Sequence, residues 1–167
     1  LRPDGEAGLI AVPVEALRTY QENKAWVWEH QALTRARAAA GDPEVGAAFE
    51  ALRHDIVTRQ RDAEVLCDSV HAMRDRISAV HRNPTQLFDV KHDRGGMVDL
   101  EFTTQYLVLA HSHAHPALAN NLGNITLLRL AAPNVLAMAI AGLGTSALYP
   151  GSWSEWCNTP GLACAKG

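Results

Sequence analysis

The sequence has few cysteines, few lysines and no surplus of positive charge. Its three cysteines, Cys67, Cys157 and Cys164, are too few and too scattered for the disulfide framework of a small secreted domain, so we expect a reducing, cytoplasmic location. Lysine and arginine together number 15 against 18 aspartates and glutamates, a net charge of −3 in 167 residues. A general nucleic-acid binder carries a basic surplus, so nucleic acid is not an expected partner.

The end of the chain lacks charge as well. Residues 133–167 contain only two charged side chains, Glu155 and Lys166. The best apolar run there, residues 135–143, is far shorter than the roughly 20 residues of a membrane-spanning helix, so we expect no membrane partner. Charge and helical periodicity are lost together near residue 132, and we interpret residues 133–167 as an atypical tail produced by a reading-frame error or a fusion. The chain has no signal peptide and no initial methionine, which indicates a fragment.

Most of the sequence before residue 133 shows the three- and four-residue spacing of apolar side chains that is typical of helices. This spacing predicts one long helix over residues 13–39, kinked near Asn23, and further helices that begin at Asp42 and Asp62. The other predicted elements are two helices and two stretches of strand: helices over residues 97–115 and 125–132, and strands within residues 1–12 and 87–91.

Residues 91–96 (KHDRGG) directly precede the helix predicted from Met97. A lysine and the free backbone N–H groups of a helix start would meet there, which is the arrangement of a phosphate or other anion site. Lys91, Gly95 and Gly96 are therefore candidate nucleotide- or substrate-binding residues. The motif is not a Walker A loop, because its lysine precedes the glycines. The alternative interpretation is a glycine turn beside a surface lysine.

Two other clusters are poor candidates for metal binding. Asp99 and Glu101 stand two positions apart in the first helical turn, point to different faces, and are better suited to complement the helix dipole. His111, His113 and His115 have no nearby cysteine or glutamate to complete a zinc site, and histidines at a helix end also complement the dipole. We predict no metal-binding residue in this chain from these patterns.

Residues 25–37 (AWVWEHQALTRAR) are unusually rich in aromatic and basic side chains. We expect one of Trp26 and Trp28 to pack in the core. Arg35 and Arg37 cannot share a helix face, so at most one of them points into a site, and Arg35 is a weak substrate-binding candidate. The alternative is a core helix with a solvated basic side.

Residues 1–8 (LRPDGEAG), residues 25–37 and residues 88–102 (FDVKHDRGGMVDLEF) together resemble one family, the bifunctional glutamine synthetase adenylyltransferase/adenylyl-removing enzymes. Residues 105–109 and 124–130 extend the resemblance in the same order. Each motif is weak alone, but the ordered series is specific.

The resemblance implies an α+β, predominantly helical fold. Residues 1–60 would form the C-terminal edge of a polymerase-β-type nucleotidyltransferase domain, and residues 61–132 the start of a helical bundle domain. The implied activity is transfer of AMP from ATP to a tyrosine of glutamine synthetase in one half of the enzyme, and its removal by phosphorolysis in the other. Residues 25–37 resemble the adenylylating, C-terminal half. The resemblance also implies Mg²⁺ as a cofactor and ATP as a substrate. Its implied partners are glutamine synthetase and the PII signalling protein.

In this superfamily, carboxylates on neighbouring strands hold the metal ions. The resemblance places those carboxylates before Leu1, so we expect no catalytic residue in this chain and no activity from the chain alone. Arg2 would directly follow the catalytic strand, and it joins Lys91, Gly95 and Gly96 as a nucleotide- or substrate-binding candidate. The alternative function is a non-catalytic helical module that docks glutamine synthetase or a PII signalling protein.

Overall fold

The computed structural model describes residues 9–131, which fold into helices joined by short connections and one longer loop. The elements follow in this order: α1 Val14–Asn23, α2 Val27–Leu33, α3 Pro43–Val57, α4 Ala63–Val80, α5 Met97–His111, a 3₁₀ helix Pro116–Ala119, and a last helical segment at residues 124–131. Within the described residues, no helix has both the length and the apolar character needed to cross a membrane.

The predicted strands are wrong wherever the structure describes them, because residues 9–131 contain no strand. A strand needs a neighbour with which its backbone exchanges hydrogen bonds. Around residues 87–91, the backbone N–H groups of Asp89 and Lys91 instead donate to aspartate side chains. Residues 1–8 lie outside the described part. The described fold is therefore helical, and the nucleotidyltransferase edge stays a prediction.

The helix starts predicted at Asp42 and Asp62 are confirmed. The Asp42 carboxylate accepts hydrogen bonds from the backbone N–H groups of Glu44 at 2.7 Å and Val45 at 3.4 Å. Asp62 accepts from the N–H groups two and three positions further on, both at 3.0 Å. Each carboxylate satisfies donors that the helix itself leaves unpaired, so local chemistry marks where α3 and α4 begin.

The prediction of one helix over residues 13–39 is wrong, although the kink expected near Asn23 falls at the right place. A break at residues 24–26 separates α1 from α2, and α2 ends well before residue 39. Glu29 explains the new start. Its Oε1 accepts hydrogen bonds from the Trp26 N–H at 3.1 Å and from the Tyr20 hydroxyl at 3.0 Å. Apolar residues continue at helical spacing across the break, so the spacing alone does not reveal it.

One apolar core connects α2, α3, α4, α5 and the segments that follow. Its buried members are Leu33, Leu52, Ile56, Val57, Leu66, Val70, Leu107, Val108, Leu109, Leu118, Ala119, Leu127 and Ala131. The expectation of a core tryptophan is wrong, since Trp26 and Trp28 are 65% and 45% exposed. The core draws on residues from both sides of residue 60, and the domain boundary expected there stays a prediction.

Candidate functional site between α4 and α5

The connection from α4 to α5 carries the candidate anion-binding residues, and we call residues 81–96 the α4–α5 loop. Two aspartates hold its shape. Asp89 accepts hydrogen bonds from the Lys91 N–H at 2.8 Å and pairs with the His92 ring at 3.1 Å. The bond from the Lys91 N–H, and after it the contact with His92, lowers the pKa of Asp89. Asp93 in turn accepts from the Asp89 N–H at 2.8 Å.

Arg74 of α4 fastens this loop to both helices. Its guanidinium donates to the His92 carbonyl at 2.7 Å and also pairs with the Asp99 carboxylate in the first turn of α5. Asp99 accepts a further hydrogen bond from the Gly95 N–H. Asp99 therefore does more than complement a helix dipole, because it joins α4, the loop and the start of α5 in one network.

The two glycines of the loop are required by its backbone. Gly95 has a φ of +87°, a left-handed conformation that side chains disfavour. At Gly96, a Cβ atom would lie only 2.6 Å from the Val90 carbonyl oxygen and 2.9 Å from that of Asp93. Both obstacles are backbone atoms that cannot swing aside, so the close approach itself calls for glycine.

Two of the N–H groups expected to be free at the start of α5 are engaged. Met97 donates its N–H to the Val90 carbonyl at 2.8 Å, and Val98 donates to the Lys91 carbonyl at 3.1 Å. The Lys91 side chain is exposed and has no hydrogen bond or ion pair within residues 9–131. An anion would meet the lysine here without these two N–H groups, so the arrangement expected for a phosphate site is only partly present.

The other two binding candidates lie elsewhere. Arg2 falls outside the described residues. Arg35 donates from its guanidinium to the Asn124 side chain, and its carbonyl accepts from Asn121 at 3.4 Å. These hydrogen bonds of Arg35 connect the residues just after α2 with the segment after the 3₁₀ helix, and neither of them is with the α4–α5 loop.

The histidine cluster at the end of α5 forms no metal centre. In the part of the chain that the structure describes, no three histidine, cysteine, aspartate or glutamate side chains come close enough to hold a metal ion. Burial lowers the pKa of His111, and the neighbouring His115 and His113 lower it further. His111 therefore favours its neutral form.

A buried polar cluster that the sequence did not predict lies at the junction of α1 and α2. His30 is 8% exposed, and its Nε2 lies 3.0 Å from the Gln21 carbonyl while its Nδ1 lies 3.4 Å from an Arg61 nitrogen. A guanidinium only donates, so Nδ1 accepts and the neutral ring carries its proton on Nε2. The only sequence signal was the run of polar residues 29–31 inside an otherwise apolar helix.

An open groove of about 170 Å³ lies between α2, α4 and α5. Its lining is mostly apolar and consists of Trp28, Gln31, Ala32, Met73, Ile77, Phe102 and Gln105. Two of the lining residues are bonded to each other, since the Gln31 side-chain amide donates to the Gln105 side-chain oxygen at 3.2 Å. The half-exposed Trp28 therefore forms a wall of this groove instead of filling the core.

Comparison with known proteins gives one consistent result. The family model for glutamate-ammonia ligase adenylyltransferase matches residues 1–52. A bifunctional glutamine synthetase adenylyltransferase/adenylyl-removing enzyme from Bordetella bronchiseptica is 60% identical over 149 residues, which cover 89% of this chain. The proteins of the same name from Bordetella pertussis and Ralstonia nicotianae are 59% and 60% identical over 89% and 75% of this chain. The chain belongs to this adenylyltransferase family.

The chain spans only 14 to 16% of the length of these adenylyltransferases. A match of 149 residues within 167 necessarily includes the α4–α5 loop and reaches past residue 132. The predicted atypical tail, residues 133–167, lies outside the described residues, and its origin stays a prediction.

Proposed function

We propose that this chain is a segment of an enzyme that transfers AMP from ATP to a tyrosine of glutamine synthetase and, in its other half, removes AMP by phosphorolysis. The observation that carries the proposal is the 60% identity to a protein named for both activities. Following the resemblance of residues 25–37, we assign the segment to the adenylylating half and the enzyme to the cytoplasm.

The described carboxylates do not fit a Mg²⁺ site. Asp89 and Asp93 accept hydrogen bonds from the loop backbone, and Asp99 is bound to Arg74 and the Gly95 N–H. A two-metal transfer site needs several carboxylates directed at one point. We therefore assign the metal-binding carboxylates to parts of the enzyme outside residues 9–131.

The contribution of this segment is then binding and support. Arg74, Asp99 and the loop aspartates restrain the backbone around Lys91, and its exposed side chain is available to a phosphate or an acidic protein surface. Gly95 and Gly96 act through the backbone shape that they permit. Arg2 stays a candidate for contact with the nucleotide or the protein substrate, and Arg35 stays a weak one.

A docking role without chemistry is the second candidate function. The groove between α2, α4 and α5 favours it, because open apolar surface of this kind is typical of sites that receive another protein or helix. The partner would be glutamine synthetase or a PII signalling protein.

The test uses the chain by itself, incubated with labelled ATP, Mg²⁺ and glutamine synthetase. We expect no transfer of AMP, while the full-length enzyme labels the synthetase under the same conditions. Stoichiometric labelling by the chain alone would contradict the placement of the active site outside it. Failure of the full-length enzyme to label the synthetase would contradict the proposed function. Binding of the chain to immobilised synthetase or PII without ATP measures the docking role separately.

A further inference from the structure

The α4–α5 loop and its borders expose large apolar side chains. Leu87, Val90 and Met97 are 75%, 53% and 60% exposed, and the Phe88 ring is 41% exposed. Val90 and Met97 are neighbours, since the Met97 N–H donates to the Val90 carbonyl. Single exposed apolar residues are ordinary, but several in one short segment are typical of a surface that contacts another protein.

In the same loop, the acidic side chains are hydrogen-bonded internally, whereas the basic side chains are exposed. Its two carboxylates, Asp89 and Asp93, accept hydrogen bonds from the loop itself. The side chains of Arg82 and Lys91 are exposed and have no recorded partner within residues 9–131. Arg94 faces Asp75 at 3.8 Å, and a pair so exposed contributes little. The loop therefore offers outside partners apolar groups and positive charge.

This exposed surface is also held in one shape. The Asp89 and Asp93 bonds, the Arg74 contact with the His92 carbonyl, and the tight approach at Gly96 all restrain a segment without regular secondary structure. A binding surface that is ordered before contact loses less conformational freedom on association.

We propose that the exposed side of the α4–α5 loop docks an acidic protein surface with apolar groups at its centre, and that this surface belongs to glutamine synthetase. The identity of the partner rests on the proposed function. A protein surface fits better than a free phosphate, because the N–H groups of Met97 and Val98 are already bonded and the apolar side chains have no use for phosphate. Lys91 and Leu87 are the central contacts.

The experiment measures binding of the full-length enzyme to immobilised glutamine synthetase without ATP. Lys91→Glu and Leu87→Ala should each raise the Kd by about tenfold, and the Lys91→Glu loss should shrink at high salt because salt screens the charge. Two matched controls should leave the Kd unchanged. Arg37→Glu makes the same charge change at an exposed site after α2, and Val65→Ala truncates an exposed side chain near the start of α4.

Three results would overturn the docking proposal. One is a change of Kd in the two loop variants that is no larger than the change in the controls. Another is a lower melting temperature of the full-length enzyme with unchanged synthetase binding, which would mean that the loop packs against another part of the same enzyme. The third is a rise in the KM for ATP alone, which would mean that Lys91 meets the nucleotide. A wild-type enzyme that binds but does not label the synthetase contradicts only the proposed function.

Discussion

The core and the α4–α5 loop are stabilised in opposite ways. In the core, Leu33, Leu52 and Leu109 are fully buried between helices. The core is stabilised because their apolar surface is removed from water. In the loop, Leu87 and Val90 are mostly exposed, and the shape is maintained by hydrogen bonds instead. The difference shows which region tolerates change: the core depends on side-chain volume, whereas the loop depends on a few specific polar atoms and on its two glycines, Gly95 and Gly96.

The largest expected effect tests this contrast with one substitution in two places. Leu52→Ala should lower the free energy of unfolding by about 3 kcal/mol, because it leaves a cavity among packed helices. Leu87→Ala, at a 75% exposed loop position, should change it by less than about 0.5 kcal/mol. Urea unfolding followed by circular dichroism measures both. Equal losses would mean that the loop is also part of the packed core.

The same contrast explains what the sequence predicts well. Burial repeats along a helix, so apolar spacing correctly predicts helices at α3, α4 and α5, although the helix expected over residues 97–115 ends at His111. Leu52, Ile56 and Leu66 supply buried apolar side chains of α3 and α4. Helix starts at Asp42 and Asp62 are predictable because a capping carboxylate acts on N–H groups two and three positions away.

Features that depend on contacts between distant residues are not predictable in this way. The Arg74 bond to the His92 carbonyl spans 18 positions, and nothing in the spacing of either residue indicates it. The exposure of Trp28 depends on the groove that α4 and α5 form with α2. At the candidate site, the motif correctly placed Lys91 and the glycines beside a helix start, but it did not reveal that the nearby N–H groups are taken.

A smaller effect on the free energy of unfolding is expected at Gly96 of the loop. Gly96→Ala should lower the free energy of unfolding by about 2 kcal/mol, because its Cβ would overlap the Val90 carbonyl oxygen. Hydrogen exchange should show the loss first at the Met97 and Val98 amides, which donate to loop carbonyls. Gly123→Ala is the matched control, since nothing lies within 4 Å of a Cβ there.

An unchanged exchange rate at the Met97 and Val98 amides in Gly96→Ala would contradict the view that hydrogen bonds define the loop. If the effect of Gly96→Ala is confined to the loop, the loop amides should lose protection from hydrogen exchange while the amides of the core helices keep theirs. A uniform loss across all helices would instead join the loop to the core as one cooperative unit.

The smallest expected effect is the pH dependence set by His30. Burial lowers its pKa, with Arg61 and Arg59 adding to the effect, while the bond to the Gln21 carbonyl and the Glu29 charge oppose it. Arg61 stays charged at neutral pH, because burial lowers its pKa only to about 10. The folded state therefore prefers a neutral ring at His30, next to a permanent positive charge.

The direction of the pH effect follows from that preference. The unfolded chain protonates His30 near its ordinary pKa of about 6.5, so the stabilising contribution of the neutral ring is complete above that pH and is lost as the pH falls below it. Protonation would place an N–H on Nδ1, opposite the donors of Arg61, and break that contact.

His30→Gln should flatten the fall in unfolding free energy between pH 7.5 and about 5.5, whereas the exposed His71→Gln should leave it unchanged. His111, whose pKa is also lowered, adds to the same slope. An identical slope in wild type and His30→Gln would show that the buried cluster of α1 and α2 does not control the acid response.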